Sequence, residues 1–189
     1  LLGVAQWRQD LRLRERLLEE AREELARSEA RYRNFFENHH AMMWVVDPAT
    51  GTILEANPAA AAFYGYLQEE LAGMPVGNIN TSPPDRIREA LDAAVSGSVR
   101  TFRTRHRLAD GRIRDMEVFS GPVPWEGREV LFSILHDVTD SLLATAERDR
   151  LASAVEQTAD SILITDPLGV LLYVNPAFCA LSGYSREEA

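Results

Sequence analysis

The chain carries four histidines, His39, His40, His106 and His136, and one cysteine, Cys179, and these bound the chemistry open to it. A single thiol excludes an internal disulfide and a cysteine-rich zinc site. All 20 basic residues are arginine, so Schiff-base chemistry and a lysine-closed phosphate loop are excluded as well. His39 and His40 are neighbours that point apart in an extended segment, which is poor geometry for a metal. His106 shares strand parity with Phe102, Thr104 and Leu108, and His136 shares it with Val130, Phe132 and Ile134. If those faces look inward, both imidazoles line a pocket, where they would bond a polar or anionic ligand and titrate near neutrality. The alternative is that they bond backbone or solvent at the sheet ends. The candidate pocket residues are Asn57, Asn78, Asn80, Phe102, Thr104, His106, Phe132, Ile134 and His136. Neither a catalytic triad nor a metal set is visible, so the segment is expected to be non-catalytic. Cys179 reads as a small core residue.

Arginines 100, 103, 105, 107, 112 and 114 gather on one hairpin, a solvated or covered sheet face or an anion surface. The 189-residue chain has a net charge of −9, which disfavours a nucleic-acid partner. Hydrophobic residues at 46% and charged ones at 26% are globular proportions, and no run of 18 apolar residues exists.

These residues must be positioned by four stretches. Val4, Leu11, Leu18, Leu25 and Tyr32 recur every seven residues along a helix over 1–36. Glu and Arg fill its other faces, many at i,i+3 or i,i+4 spacing. The stripe needs a partner, so a dimeric coiled coil is expected; the alternative is a helix lying on its own domain. Met42–Val46 and Thr52–Ala56 read as strands joined by Asp47-Pro48-Ala49-Thr50-Gly51. Asn57-Pro58 opens helical pieces to about Leu71, with Asn as cap and Pro at the first turn. Pro84 to Val95 is another helix. Val99–Leu108, Arg112–Ser120 and Arg128–His136 are strands, the first two joined by Asp110-Gly111. Strands, then helices, then strands make an α+β pattern. A helix over 138–158 follows.

Then the first domain begins again. Asp47-Pro48…Gly51 recurs as Asp166-Pro167…Gly169, Asn57-Pro58-Ala59 as Asn175-Pro176-Ala177, Gly65-Tyr66 as Gly183-Tyr184, and Glu69-Glu70 as Glu187-Glu188. Four matches in register mark an internal repeat, whose second copy has no counterpart here of 72–137. With no initial Met, and ending inside the repeated pattern, the chain is expected to be a segment of something longer.

The lead-in Arg31-Tyr32-Arg33-Asn34-Phe35-Phe36-Glu37, the Asp47…Gly51 turn, Asn57-Pro58-Ala59, Gly65-Tyr66…Glu69-Glu70-Leu71, Asp110-Gly111 and the lead-out Asp137-Val138-Thr139 together resemble PAS domains of bacterial signalling proteins. The resemblance covers about 31–140 completely and 153–189 in part. It implies a five-stranded antiparallel sheet with helices on one face, enclosing a small-molecule pocket. The implied division is a coiled-coil signalling helix over 1–33, a PAS domain over 34–140, a linker helix over 141–152, and the start of a second PAS domain over 153–189.

The same resemblance disfavours two cofactors. Flavin photochemistry in this family needs an Asn-Cys-Arg-Phe-Leu motif, and the matching stretch is Gly77-Asn78-Ile79-Asn80-Thr81. Haem-binding members place a histidine after Pro-Asp-Arg, and here Pro84-Asp85-Arg86-Ile87-Arg88 is followed by Glu89. His136-Asp137-Val138-Thr139 looks like a histidine-kinase phosphoacceptor box, but lies on a strand rather than an exposed helix. Asp137 and Thr139 are expected to act as a signal-relay corner between the last strand and the exit helix; the alternative is a plain cap by Thr139 or Asp140. The expected whole is a cytoplasmic sensory module, free or on the inner side of a membrane-anchored parent. It would form a homodimer through its N-terminal helix, take a small ligand and hold no cofactor. Its effector, a histidine kinase, a cyclic-di-GMP enzyme or a transcription regulator, would lie elsewhere in the parent chain. The competing reading is a ligand-free interaction module with a filled core.

Overall fold

The computed structural model describes residues 2–188, with side chains from Arg14 onward. Two units are present, 1–137 and 138–189. In the first, α1 (Leu2–Glu37) leads to β1 (Met42–Asp47) and β2 (Thr52–Ala56). Next come α2 (Pro58–Tyr64), α3 (Gln68–Leu71), a 3-10 turn at Val76–Asn78, and α4 (Pro84–Val95). The last strands are β3 (Thr101–Arg107), β4 (Ile113–Trp125) and β5 (Arg128–Asp137). The five strands are antiparallel in the order β2-β1-β5-β4-β3, so the last strand of this unit lies at the centre.

Sheet register decides which residues meet. Trp44 pairs with Ser133, Ser133 with Ser120, Phe102 with Val118, and Thr104 with Met116. Directly opposed residues share a face. That face is covered by α2, α3 and α4, and its core holds Trp44, Val46, Ile53, Tyr64, Leu71, Leu91, Met116, Val118, Leu131 and Leu135. Burying each of the large aliphatic side chains stabilises the fold by ~1.5–3 kcal/mol. The opposite face is also covered at its centre. Phe36, from the last turn of α1, is buried against it beside Met43, Val45 and Val130. The Phe36 ring lies 6.3 Å from that of Phe132.

β4 runs five residues beyond the expected end at Ser120. Gly121 to Trp125 pair with β5 alone, because β3 reaches only to Phe119. The free edge tolerates Pro122 and Pro124, which have no N–H to donate.

From Arg14 to Phe35 every side chain of α1 is exposed, including Leu18, Leu25 and Tyr32 of the seven-residue row. That stretch does not lie on its own domain, apart from contacts of Tyr32 at its end. Val4, Trp7 and Leu11 are outside the described side chains.

In the second unit, α5 (Thr139–Gln157) precedes β6 (Leu163–Thr165), β7 (Leu171–Val174) and α6 (Pro176–Ser182). β6 and β7 form a two-stranded antiparallel sheet. α5 is one helix across 139–157 and opens with Val138 in the cap position, so neither Thr139 nor Asp140 occupies it. Among the described residues no helix is long and apolar enough to cross a membrane.

Candidate ligand cavity

His106 enters the core because β3 alternates: Phe102, Thr104 and His106 turn inward while their arginine neighbours stay exposed. The imidazole is buried, and its Nδ1 lies 2.6 Å from the Tyr64 hydroxyl at the end of α2. Trp44 stacks on Tyr64 at 5.4 Å and lies 5.7 Å from His106. Burial lowers the His106 pKa to about 4, so the ring is neutral at pH 7. Burial, and then the Asp137 carboxylate, push the Tyr64 phenol well up. A neutral phenol donates to Nδ1, which leaves the imidazole proton on Nε2.

Beside this pair is a cavity of about 40 Å³. Its apolar wall comes from Ile87, Leu91 and Ala94 of α4 with Phe102 and Val118 of the sheet. Its polar wall is His106, Asn80, Ser120 and Ser133. The two serine hydroxyls are 2.9 Å apart and both are buried. Asn80 is fixed by two bonds to its Oδ1, from the Thr104 hydroxyl at 2.8 Å and the Ser82 amide at 2.9 Å. The segment around it pairs with the outer edge of β3, Thr81 N–H to Arg105 O and Arg107 N–H to Ile79 O. No residue of the cavity wall carries a formal charge at neutral pH.

Of the candidate residues, Asn80, Phe102 and His106 line this cavity, and Thr104 holds Asn80. Phe132, Ile134 and His136 do not. Their shared parity is right, but it is that of the opposite face, where Phe132 meets Phe36 and the exposed His136 lies edge-on to Phe119 at 5.4 Å. β5 is central and covered on both sides, so apolar residues appear at both parities and do not mark the inner one. Asn78 is exposed on the 3-10 turn. Asn57 is fully buried, but as framework. Its Oδ1 accepts from Ala60 N–H and Met43 N–H at 3.0 Å each, and its Nδ2 donates to Phe36 O at 3.1 Å and Ala41 O at 2.9 Å. Tyr64, Trp44, Ser120 and Ser133 were not among the candidates. The serines were findable: equal steps back from the Glu126-Gly127 turn bring Ser120 opposite Ser133.

At the relay corner, Asp137 is half-buried and its Oδ2 lies 3.8 Å from Arg114 Nη1; Thr139 is the first residue of α5. The hairpin arginines divide between faces. Arg103 pairs with Glu117 at 3.1 Å on the exposed side, and Arg112 with Asp110 at 2.6 Å in the turn. His39 accepts the Ala41 amide at its Nδ1, 3.0 Å away. Cys179 is half-buried on α6.

The comparisons agree with this architecture. A family model described as a PAS fold matches residues 30–138, and one described as a PAS domain matches 149–189. The chain is 30% identical over 131 residues to the diguanylate cyclase DgcM of Escherichia coli K12, covering 68% of this chain and 30% of that protein. It is 24% identical over 122 residues to the methyl sulfide methyltransferase-associated sensor of Methanosarcina acetivorans, covering 64% and 12%. It therefore spans less than a third of the length of these curated relatives. Among solved structures, the PAS domain of an HTR-like protein from Haloarcula marismortui matches with a TM-score of 0.56 at 25% identity, covering 63% of this chain and 98% of that one. Both family matches, the central position of the last strand and the helix-covered cavity lead to one conclusion: the chain belongs to the PAS family, and its residues 30–138 are a sensory module.

Proposed function

We propose that this chain is the sensing segment of a longer signalling protein, in which a small ligand entering the cavity beside α4 changes the state of the flanking helices. The observation that carries this reading is a short physical connection. His106 in the cavity wall bonds Tyr64, the last residue of α2; Asn57 caps the first turn of the same helix and bonds the backbone of Phe36 at the end of α1. On the other side, β5 ends at Asp137 and α5 starts at Thr139, and in this reading these two residues relay the ligand's effect to the exit helix. The segment performs no catalysis itself. The name of the E. coli relative supports a cyclic-di-GMP enzyme as the effector in the parent chain, with a histidine kinase as the other choice. The exposed row Leu18, Leu25 and Tyr32 supports a homodimer through α1, and the parent is expected to signal in the cytoplasm.

No flavin or haem is part of this reading. The cavity is far smaller than either group, and the one buried histidine beside it already engages Tyr64. The chain is expected to purify colourless, and absorbance at visible wavelengths would overturn that. The small cavity also favours a second reading, a ligand-free interaction module: about 40 Å³ holds only ~3 waters, at 10–15 Å³ each. Native mass spectrometry of the purified chain separates the two. A retained small mass on a folded dimer supports sensing; a ligand-free dimer indifferent to every added small molecule supports the interaction module.

A further inference from the structure

We propose that the sensed molecule is an anion carrying a short aliphatic arm, with the arm in the cavity and the anionic group held outside it by Arg88 and Arg107. This inference rests on the ligand-sensing reading above.

A second pocket of about 460 Å³ opens to solvent on the far side of the cavity wall. The two spaces share Val76, Asn80, Ile87 and Leu91 in their walls, so they adjoin at these four residues. Their electrical characters differ. The inner space has no charged residue in its wall. The outer pocket has two, Arg88 and Arg107, and no carboxylate, in a chain whose acidic residues outnumber its basic ones by 29 to 20. Arg88 is already positioned, its Nη1 donating to Pro48 O at 2.6 Å and its Nη2 to Ala49 O at 3.2 Å. Those partners are neutral carbonyls, so the guanidinium charge is left uncompensated by them. α4 begins at Pro84 on the same pocket, with Asp85 in its first turn offsetting the helix-end potential, so the positive charge there comes from Arg88 and Arg107.

A neutral ligand would use only the inner space, and a bare anion only the outer one. A molecule with both parts uses both. The inner volume corresponds to ~3 waters, which limits the arm to about three or four carbons. Asn80, at the partition, has amide hydrogens that can meet the head group as it passes from one space to the other.

The test uses the 189-residue chain with Trp7 and Trp125 both changed to Phe, so that Trp44 reports alone, and a chain-length series of probes: acetate, butanoate, pentanoate, pentanol and butyl phosphate. Pentanoate is expected to bind at least tenfold more tightly than acetate or pentanol. Arg107→Gln should bring pentanoate down to the pentanol level, and Arg107→Lys should restore part of the difference. Butyl phosphate binding more tightly than pentanoate, with the same loss in Arg107→Gln, keeps the proposal and assigns the head group to phosphate. Pentanol binding as well as pentanoate, with no response to Arg107→Gln, overturns the anion while leaving the sensing reading standing. Binding of no probe by wild type overturns the anion with an aliphatic arm, and the sensing reading is then decided by native mass spectrometry. Ala94→Leu, which fills the cavity, should abolish the advantage of pentanoate over acetate; if it fails to fold, the chain-length series in wild type decides alone.

Discussion

Asn57 and Asn175 perform the same task in the two units, and their surroundings differ. Asn175 is fully buried like Asn57. Its Oδ1 accepts from Phe178 N–H at 3.0 Å and Ile162 N–H at 2.9 Å, and its Nδ2 donates to Val155 O at 3.2 Å and Asp160 O at 2.9 Å. Each partner stands where Ala60, Met43, Phe36 and Ala41 stand around Asn57. Even a polar contact is reproduced: Gln68 reaches Glu37 in the first unit, and Arg186 reaches Glu156 in the second. The strands beside these knots do not match in burial. Trp44 and Val45 are buried on β1, whereas their counterparts Leu163 and Ile164 are about half exposed, at 49% and 51%. The knot needs only the end of the preceding helix, one strand and the next helix. The faces of that strand need a central neighbour, which β5 provides for β1. The difference separates what local hydrogen bonding accomplishes from what sheet completion accomplishes.

The largest effect is expected from Asn57→Ala, which strips partners from two buried amides and two carbonyls and should cost roughly 3–5 kcal/mol. Urea unfolding followed by tryptophan fluorescence, from Trp7, Trp44 and Trp125, reads the first unit, since the second has no tryptophan. Asn175→Ala should leave that transition in place while speeding hydrogen exchange at Ile162. Equal loss in both variants would show that the two knots stabilise one cooperative body.

A second prediction concerns His106, in the core of the completed sheet. Its folded pKa of about 4 lies below the ordinary 6.5, so the unfolded state binds the extra proton first. Stability is complete above pH 6.5, falls as pH drops from 6.5 to 4, and then levels, with a total loss of about 3 kcal/mol. His106→Gln should flatten this part of the profile. An unchanged slope would place the acid sensitivity elsewhere.

Much of this organisation is legible in the residues. The repeat, the Asn caps and the succession of strands and helices along the chain follow from spacing and turn chemistry, and the five-stranded antiparallel sheet is what the PAS resemblance implies. The inward side of β5 does not, because Phe36 covers its other face and both parities are apolar. Asn57 reads as a ligand group because it is a polar residue next to a core. Its recurrence as Asn175, at the same cap position before Pro176, is the signal that it belongs to the framework.

A smaller contrast is set by two helix-ending glycines, both left-handed, Gly65 at φ 78° and Gly183 at φ 80°. A Cβ at Gly65 would come within 3.3 Å of Ala109 Cβ, while at Gly183 nothing lies within 4 Å. Gly65→Ala should therefore cost ~1–2 kcal/mol and Gly183→Ala ~1 kcal/mol, the latter from backbone strain alone. Thermal unfolding of the two variants checks the order. The smallest effect is expected from Leu172→Glu on exposed β7, within about 0.5 kcal/mol of wild type. A larger loss would reveal a partner covering that strand in solution.

The bond from Asn57 to the Phe36 carbonyl has a mechanical meaning. With the Phe36 side chain sunk in the sheet, the last turn of α1 is clamped at two points, one polar and one apolar. A clamped rod does not hinge at its root. From Arg14 to Phe36 it extends ~33 Å, at 1.5 Å per residue. A tilt of only a few degrees of the whole clamp would therefore become a displacement of ångströms at Arg14, which gives α1 the geometry of a long lever.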